Sequence, residues 1–211
     1  MTKIIIVRHG ESKTNELGLL VGQGDFALTD LGLEQAEQTA AALADEQIDA
    51  VYSSDLKRAM QTAAPHARRR ALEVIPEKDL RETYCGDWES RPFADLRENE
   101  TELYVNGFCN NFMTFAFPGG ETVPASGERF LRATERIARE NEGKTVLIAS
   151  HGGVIRCFWA LICGEALESA GVKIPFPTNA AYSVAYFDGE RILPHAYSCD
   201  KHLTTVTQVK Q

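Results

Sequence analysis

Two histidines stand where an apolar run gives way to small and charged residues. Ile4-Ile5-Ile6-Val7 leads into Arg8-His9-Gly10-Glu11-Ser12, and Thr145-Val146-Leu147-Ile148-Ala149 leads into Ser150-His151-Gly152-Gly153. Short apolar runs of this kind read as buried strands. In an open α/β sheet, ligands bind beyond the carboxyl ends of the strands. An imidazole beside a guanidinium at such a tip suits attack on a phosphoryl group, with the histidine as nucleophile and the arginine as a clamp on the phosphate oxygens. Two further segments carry ionisable groups in comparable places. One is Ser53-Ser54-Asp55-Leu56-Lys57-Arg58-Ala59, continuing through Gln61-Thr62-Ala63. The other is Leu80-Arg81-Glu82, followed by Gly86-Asp87-Trp88-Glu89. Taken singly, each has a plainer reading: a turn or core histidine, a solvated arginine on a helix, one carboxylate among Glu77, Asp79, Asp87 and Glu89. Their joint presence points to a site.

The elements that must position these residues follow from periodicity and punctuation. A first strand covers about Lys3 to Val7. Thr29 or Asp30 caps a helix to about Ala44, with Leu33, Ala36, Ala40 and Leu43 at helical spacing. Ala50 to Ser53 reads as a strand followed by a helix through Arg58 and Ala63, and Leu72 to Ile75 as a further strand. Ser126 starts a helix on which Phe130, Ala133 and Ile137 share a face; Gly143 follows it, and Thr145 to Ala149 is the clearest buried strand. A helix from Val154 to Ile162 comes next. Ala181–Phe187 and Arg191–Tyr197, joined by Asp188-Gly189, read as a closing hairpin. Alternating strands and helices predict an α/β fold, a three-layer α-β-α sandwich. Its central sheet is mostly parallel with helices on both faces. Residues 91–124 break the pattern and read as a lid-like insertion within a single domain spanning 1–211.

Together the four segments resemble the histidine phosphatase superfamily, also called the phosphoglycerate-mutase-like family, over nearly the whole chain and in the family's order. The resemblance implies roles. His9 is the nucleophile that becomes phosphorylated. Arg8, Arg58 and His151 surround the phosphate, with Asn15 and Gly152 also at the substrate. Glu82 protonates the leaving oxygen, and Gln23, in the loop Gly22-Gln23-Gly24-Asp25, touches the substrate. The physical logic runs alongside. A phosphomonoester is a dianion, so two guanidiniums and an imidazolium offset its charge into the transition state. The same cations disfavour protonation of His9 and keep its lone pair available. A carboxyl group then donates a proton to the departing oxygen and later takes one from water. No metal or other cofactor is required on this scheme. His66, His195 and His202 have no catalytic role in it, although His202 could close over the pocket.

The family holds phosphatases and mutases alike. A mutase needs extra basic residues for a second negative group, yet no Lys or Arg lies between Arg97 and Arg129. That stretch carries Glu98, Glu100, Glu102, Glu121 and Glu128, together with Tyr104, Phe108, Phe112, Phe115 and Phe117. Such a lid repels a bisphosphate and offers an apolar or aromatic leaving group a surface. The aromatic spacing is equally that of a helix packing on the core. Gly-Asp-Trp-Glu resembles the metabolite phosphatases of the family, in which Gly often follows; Ser90 takes that place here. The expected activity is therefore a metal-independent phosphomonoesterase acting on a small phosphorylated metabolite through a phosphohistidine. A cofactor-dependent phosphoglycerate mutase, a phosphoprotein phosphatase and a silent phospholigand-binding protein remain as alternatives.

Bulk properties bound the rest. The chain has 211 residues, 44% hydrophobic and 25% charged, as in an ordinary globular domain. Its 22 basic against 30 acidic residues give a net charge of -8, which disfavours a general nucleic-acid surface. No run of 18 apolar residues and no leader-like segment occurs, so the expectation is a cytoplasmic protein with no membrane partner. Cys85, Cys109, Cys157, Cys163 and Cys199 are scattered without a CxxC pair, against a disulfide framework or zinc site. A homodimer stays open. The residues from Thr204 to Gln211 are polar and read as loosely held.

Overall fold

The computed structural model describes residues 1–206. Six strands form one sheet in the order β4-β3-β6-β1-β7-β8. They are β1 (Thr2–Arg8), β3 (Ala50–Ser53), β4 (Val74–Pro76), β6 (Thr145–Ser150), β7 (Tyr182–Phe187) and β8 (Ile192–Cys199). β1 pairs parallel with β6, β6 with β3 and β3 with β4, while β7 runs antiparallel to both β1 and β8. Only β7 therefore opposes the common strand direction. Among the described residues, no helix is long and apolar enough to cross a membrane.

Side chains on β1 alternate between two cores, as the two-residue period of a strand requires. Ile4 and Ile6 join Val146, Ile148, Phe130, Ile137 and Phe158 on one face; Ile5 and Val7 join Leu147, Ala149, Val51, Ala63 and Leu43 on the other. The first face is covered by α5 (Val123–Glu140) and α6 (Gly152–Ile162), the second by α2 (Asp30–Ala42) and α3 (Lys57–Arg68). Both faces being buried explains why β1 and β6 read as continuous apolar runs rather than alternating ones.

Several boundaries differ from those read in the sequence. The expected strand at Leu72–Ile75 forms later, as Val74–Pro76, because Ala71 turns the chain with φ 54°. α5 starts at Val123, earlier than Ser126: Thr122 caps it by accepting from Ala125 N, and Pro124 fits the first turn, where no N–H is needed. Four short elements have no periodicity to announce them: α1 (Lys13–Leu17), α7 (Leu167–Lys173), and β2 (Leu19–Leu20) paired with β5 (Arg91–Pro92) in a two-stranded ribbon.

Residues 91–124, read as a lid-like insertion, do not form one helix. They contain α4 (Phe93–Asn99), a π-helical stretch Leu103–Cys109 and a 3₁₀ turn Phe112–Thr114. At the other end of the described chain, Thr204 N donates to Gln38 Oε1 and Gln35 Nε2 to Thr205 O, so this part of the tail is tied to α2. The remaining tail, 207–211, lies outside the described residues.

Candidate active site

The parallel register brings the chemistry together. Arg8 is level with Ser150 across β1 and β6, and Ser53 with Ala149 across β3 and β6. Hence Arg8-His9, Ser150-His151 and Ser53-Ser54 emerge side by side at the carboxyl edge of the sheet, where its order passes from parallel to antiparallel neighbours. Arg8 and His9 line a cleft there of about 790 Å³, measured out to its open mouth.

His9 is buried at the floor. Its N–H donates to Ser150 O at 2.9 Å, and its carbonyl accepts from Asn179 Nδ2 at 3.0 Å and Ala180 N at 3.2 Å. Gly10 N donates to Thr62 Oγ1 at 3.1 Å. Gly10 packs so tightly on α2 that a Cβ there would lie 2.4 Å from Gly32 O, which is why the motif needs glycine. His9 Nδ1 is 2.7 Å from Gly10 O. A carbonyl only accepts, so Nδ1 carries the proton and Nε2 keeps a bare lone pair. Burial, then the charges of Arg58 and Arg8, hold the His9 pKa well below the usual histidine value, so the ring is neutral.

Arg58 comes from the first turn of α3. Its Nε donates to His151 Nδ1 at 3.2 Å, and Nη1 and Nη2 donate to Gly24 O and Gly22 O, both at 2.7 Å. That leaves N–H groups over for a ligand. Because His151 Nδ1 accepts from Arg58, its Nε2 carries the proton, facing Ser54 Oγ at 2.8 Å. Burial and the neighbouring Arg58 hold the His151 pKa well below its ordinary value. His151 is thus a neutral imidazole that orients Arg58, where an imidazolium was expected. Its ring lies edge-on to His9, with centroids 5.3 Å apart. Burial lowers Arg8 to about 10, so it stays cationic at neutral pH. Arg8 Nη1 donates to Pro177 O at 2.5 Å, while its buried Nε has no partner among the described residues.

Glu82 meets the amino end of α6. Its Oε2 accepts from Gly153 N at 2.8 Å and its Oε1 from Val154 N and Thr83 N, both at 2.9 Å. A Cβ on Gly153 would lie 2.7 Å from that carboxylate, and one on Gly152 would lie 3.1 Å from Arg8 Nε. The Gly152-Gly153 pair is therefore what lets the acid and the guanidinium approach the helix end. Asn15 caps its own helix reciprocally with Ser12, its Oδ1 accepting from Ser12 N at 3.0 Å and Asn179 Nδ2 at 3.3 Å. The Asn15 side chain lines the cleft, and its amide N–H groups donate to no partner among the described residues.

Arg8, His9, Asn15, Arg58, Glu82 and Gly152 all line the cleft, and His151 stands directly behind Arg58. Gln23 does not line it. Its Nε2 donates to Glu82 O at 3.2 Å and its Oε1 accepts from Arg81 at 3.4 Å, so it braces the Glu82 backbone instead of reaching substrate. His202 does not close over the cleft either: its Nε2 bonds Thr39 on α2 at 2.9 Å. His195 is exposed on β8 and His66 is buried on α3.

Several further residues position the site through backbone groups and ion pairs that their sequence strings do not reveal. Glu89 accepts from the N–H groups of Gly22, Gln23, Gly24 and Cys85. It thereby shapes the loop whose carbonyls hold Arg58. Arg129 donates to Asp79 O, Arg81 O and Glu82 O, and Arg81 pairs with Asp55 through two bonds of 2.6 and 2.7 Å. Glu89 sits in the Gly-Asp-Trp-Glu string, the one hint available. Ser90 after it has φ 63°, the left-handed conformation that explains the expected glycine.

The other end of the cleft is apolar. Phe93, Phe108, Phe112 and Phe117 from residues 91–124, with Phe176, line it. Tyr104, Phe108, Phe112, Phe115 and Phe117 are all buried around Trp88 or one another. The stripe thus packs residues 91–124 together, and three of its rings also line the cleft.

The sequence matches the histidine phosphatase superfamily (branch 1) over residues 4–200. The chain belongs to this superfamily. It is 34% identical over 209 residues to a metal-independent phosphoserine phosphatase of Arabidopsis thaliana, covering 98% of this chain and 85% of that one. It is 32% identical to the adenosylcobalamin/alpha-ribazole phosphatase of Escherichia coli, covering 79% and 82%. Among solved structures, Bacillus stearothermophilus YhfR superposes with a TM-score of 0.90 at 26% identity, covering 96% of this chain and all of that one. This superfamily member is a phosphoric monoester hydrolase.

Proposed function

We propose that this histidine phosphatase works without a metal, through a phosphohistidine on His9, on small phosphomonoesters whose leaving group is apolar or aromatic and uncharged. The observation that carries the reading is the division of one cleft. A bare imidazole nitrogen, two guanidiniums and a carboxylate stand at one end, and phenylalanine rings at the other.

His9 Nε2 attacks phosphorus as the bond to the leaving oxygen breaks. Arg8 and Arg58 follow the charge on the phosphoryl oxygens, and being fixed by Pro177, Gly22, Gly24 and His151 they need no reorganisation. Glu82, in its protonated form, gives the leaving oxygen its proton. In the second step Glu82 takes a proton from water, the resulting oxygen attacks phosphorus, and the N–P bond returns its electron pair to His9.

Charge chooses among substrates. Phosphoserine and phosphoglycerates carry a carboxylate besides the phosphate, and a bisphosphate carries a second phosphate. Beyond Arg8 and Arg58, no lysine or arginine lines the cleft among the described residues. A second anion would lose its hydration there without a partner. The Arabidopsis relative's name points to phosphoserine; the lining of this cleft argues for a different leaving group.

Hydrolysis in excess EDTA tests this. 1-Naphthyl phosphate should be turned over with a kcat/KM at least about tenfold above that of phosphoserine or 3-phosphoglycerate. Isomerisation of 3-phosphoglycerate should be absent with or without 2,3-bisphosphoglycerate. Preference for phosphoserine, or bisphosphoglycerate-dependent isomerisation, contradicts the reading.

A further inference from the structure

One wall of the cleft hangs on an arginine outside all four motifs. The strap Ile174–Asn179 joins α7 to β7 and carries Phe176 into the cleft. Its run Ile174-Pro175-Phe176-Pro177 has two fixed φ angles, and each residue before a proline is pushed toward extended backbone. With the backbone this stiff, the position of Phe176 is decided by where the neighbouring carbonyls are anchored. Arg156 Nε donates to Ile174 O at 2.6 Å, the Tyr197 hydroxyl to Pro175 O at 2.7 Å, and Arg8 Nη1 to Pro177 O at 2.5 Å. Arg156 Nη2 also donates to Gly171 O at 2.7 Å, near the end of α7.

Arg156 is only 8% exposed and has no carboxylate partner among the described residues. A buried cation without an anion is costly. What offsets it here are the two carbonyls and two ring faces. The guanidinium carbon lies 4.5 Å from the Phe176 centroid and 5.6 Å from that of Phe112, and those rings are 4.8 Å apart. Both rings line the cleft and Arg156 does not. The same helix therefore serves both ends of the site. The first turn of α6 meets Glu82, and its second turn reaches the aromatic wall.

We infer that Arg156 is a positioning residue for leaving-group specificity. From α6 it fixes Phe112 of the lid and Phe176 of the strap as the faces against which an apolar or aromatic leaving group packs. This rests on the leaving-group preference proposed above. Arg156→Met keeps the length of the stem and loses the fork; Arg156→Lys keeps the charge and loses the planar face.

The test is kcat and KM for 1-naphthyl phosphate and ethyl phosphate, with inhibition by inorganic phosphate, in wild type and both variants. The naphthyl KM should rise roughly tenfold in each variant. The ethyl ester and phosphate inhibition should stay near their wild-type values. In a Phe176→Leu background, Arg156→Met should add little further loss on the naphthyl ester, because it acts through that ring. Wild type without a naphthyl preference overturns the leaving-group reading itself, before any variant is considered. A wild-type preference that survives in both variants overturns the role of Arg156 alone, as does an equal loss on both esters and on phosphate inhibition. Should the Arg156 variants not fold, Tyr197→Phe removes only the hydroxyl that holds Pro175. It should raise the naphthyl KM and leave the ethyl ester unmoved, and an unchanged naphthyl KM there overturns the inference equally.

Discussion

His9 presents a bare nitrogen because its other polar groups are already engaged: its N–H by Ser150, its carbonyl by Asn179 and Ala180, its Nδ1 by Gly10 O. Glu82 is positioned just as firmly, by the backbone of Gly153, Val154 and Thr83. Glu82→Gln keeps the size of the side chain, gives up one of its two acceptor oxygens and removes the transferable proton. For ethyl phosphate, whose leaving oxygen must be protonated, kcat should fall about 10²- to 10⁴-fold. For 4-nitrophenyl phosphate, whose leaving group departs as a stable anion, the loss should be much smaller. Steady-state rates on the two esters check this, and equal losses would remove Glu82 from the acid role. These residues were legible because their chemistry demands particular side chains in short strings. Glu89 and Asn179 were not, since they act on backbone groups 67 and 170 residues away. Nothing in a local string records such a partner. Gln23 shows the converse, a motif position whose side chain is turned to Arg81 and the Glu82 carbonyl.

At the scale of elements, the long apolar and amphipathic segments declared themselves. β1, α2, β3, β6 and the β7–β8 hairpin form close to where periodicity puts them, because each buries one face or both. The short elements did not. α1 has five residues and is defined by the Ser12–Asn15 capping box; the lid's π-helical stretch has its Gly107 against the Phe115 ring. Neither arrangement has a period to read. Ser90 holds its turn in the left-handed region, with its N–H on Leu20 O at 2.8 Å. Ser90→Gly should therefore raise unfolding stability by about 1 kcal/mol, net of the greater freedom of glycine when unfolded. Urea denaturation measures this, and a loss of stability would show that the serine contributes something beyond its backbone.

On α3, His66 is fully buried, its ring nitrogens without partners among the described residues. Burial lowers its pKa to about 3. The unfolded chain takes up this proton near pH 6.5 and the folded chain does not. The protonation-linked cost of His66 is therefore small at pH 7 and grows as pH falls through that window. Between pH 7 and pH 5 it should remove about 2 kcal/mol of stability, a loss absent in His66→Leu. Identical pH slopes for the two proteins would contradict this.

For the whole molecule, a net charge of -8 surrounds a cleft floored by Arg8 and Arg58. The sheet reconciles the two by drawing its cationic groups to the one edge where β1, β3 and β6 end together. Five strands point that way, and the antiparallel β7 brings Asn179 and the strap back to the same edge. The parallel sheet was legible from alternation, and the site from the strings at its strand ends. The contribution of the far end of the chain became visible only in three dimensions.

The most direct measurement is rapid acid-free quenching of wild type and His9→Ala with a radiolabelled aryl phosphomonoester in excess EDTA, followed by mapping of the labelled residue. The expected result is a transient, acid-labile and alkali-stable phosphoryl group on His9, formed as fast as the alcohol is released, with neither label nor turnover in His9→Ala. Label on another residue, or undiminished hydrolysis by His9→Ala, would contradict the nucleophile and with it the whole account.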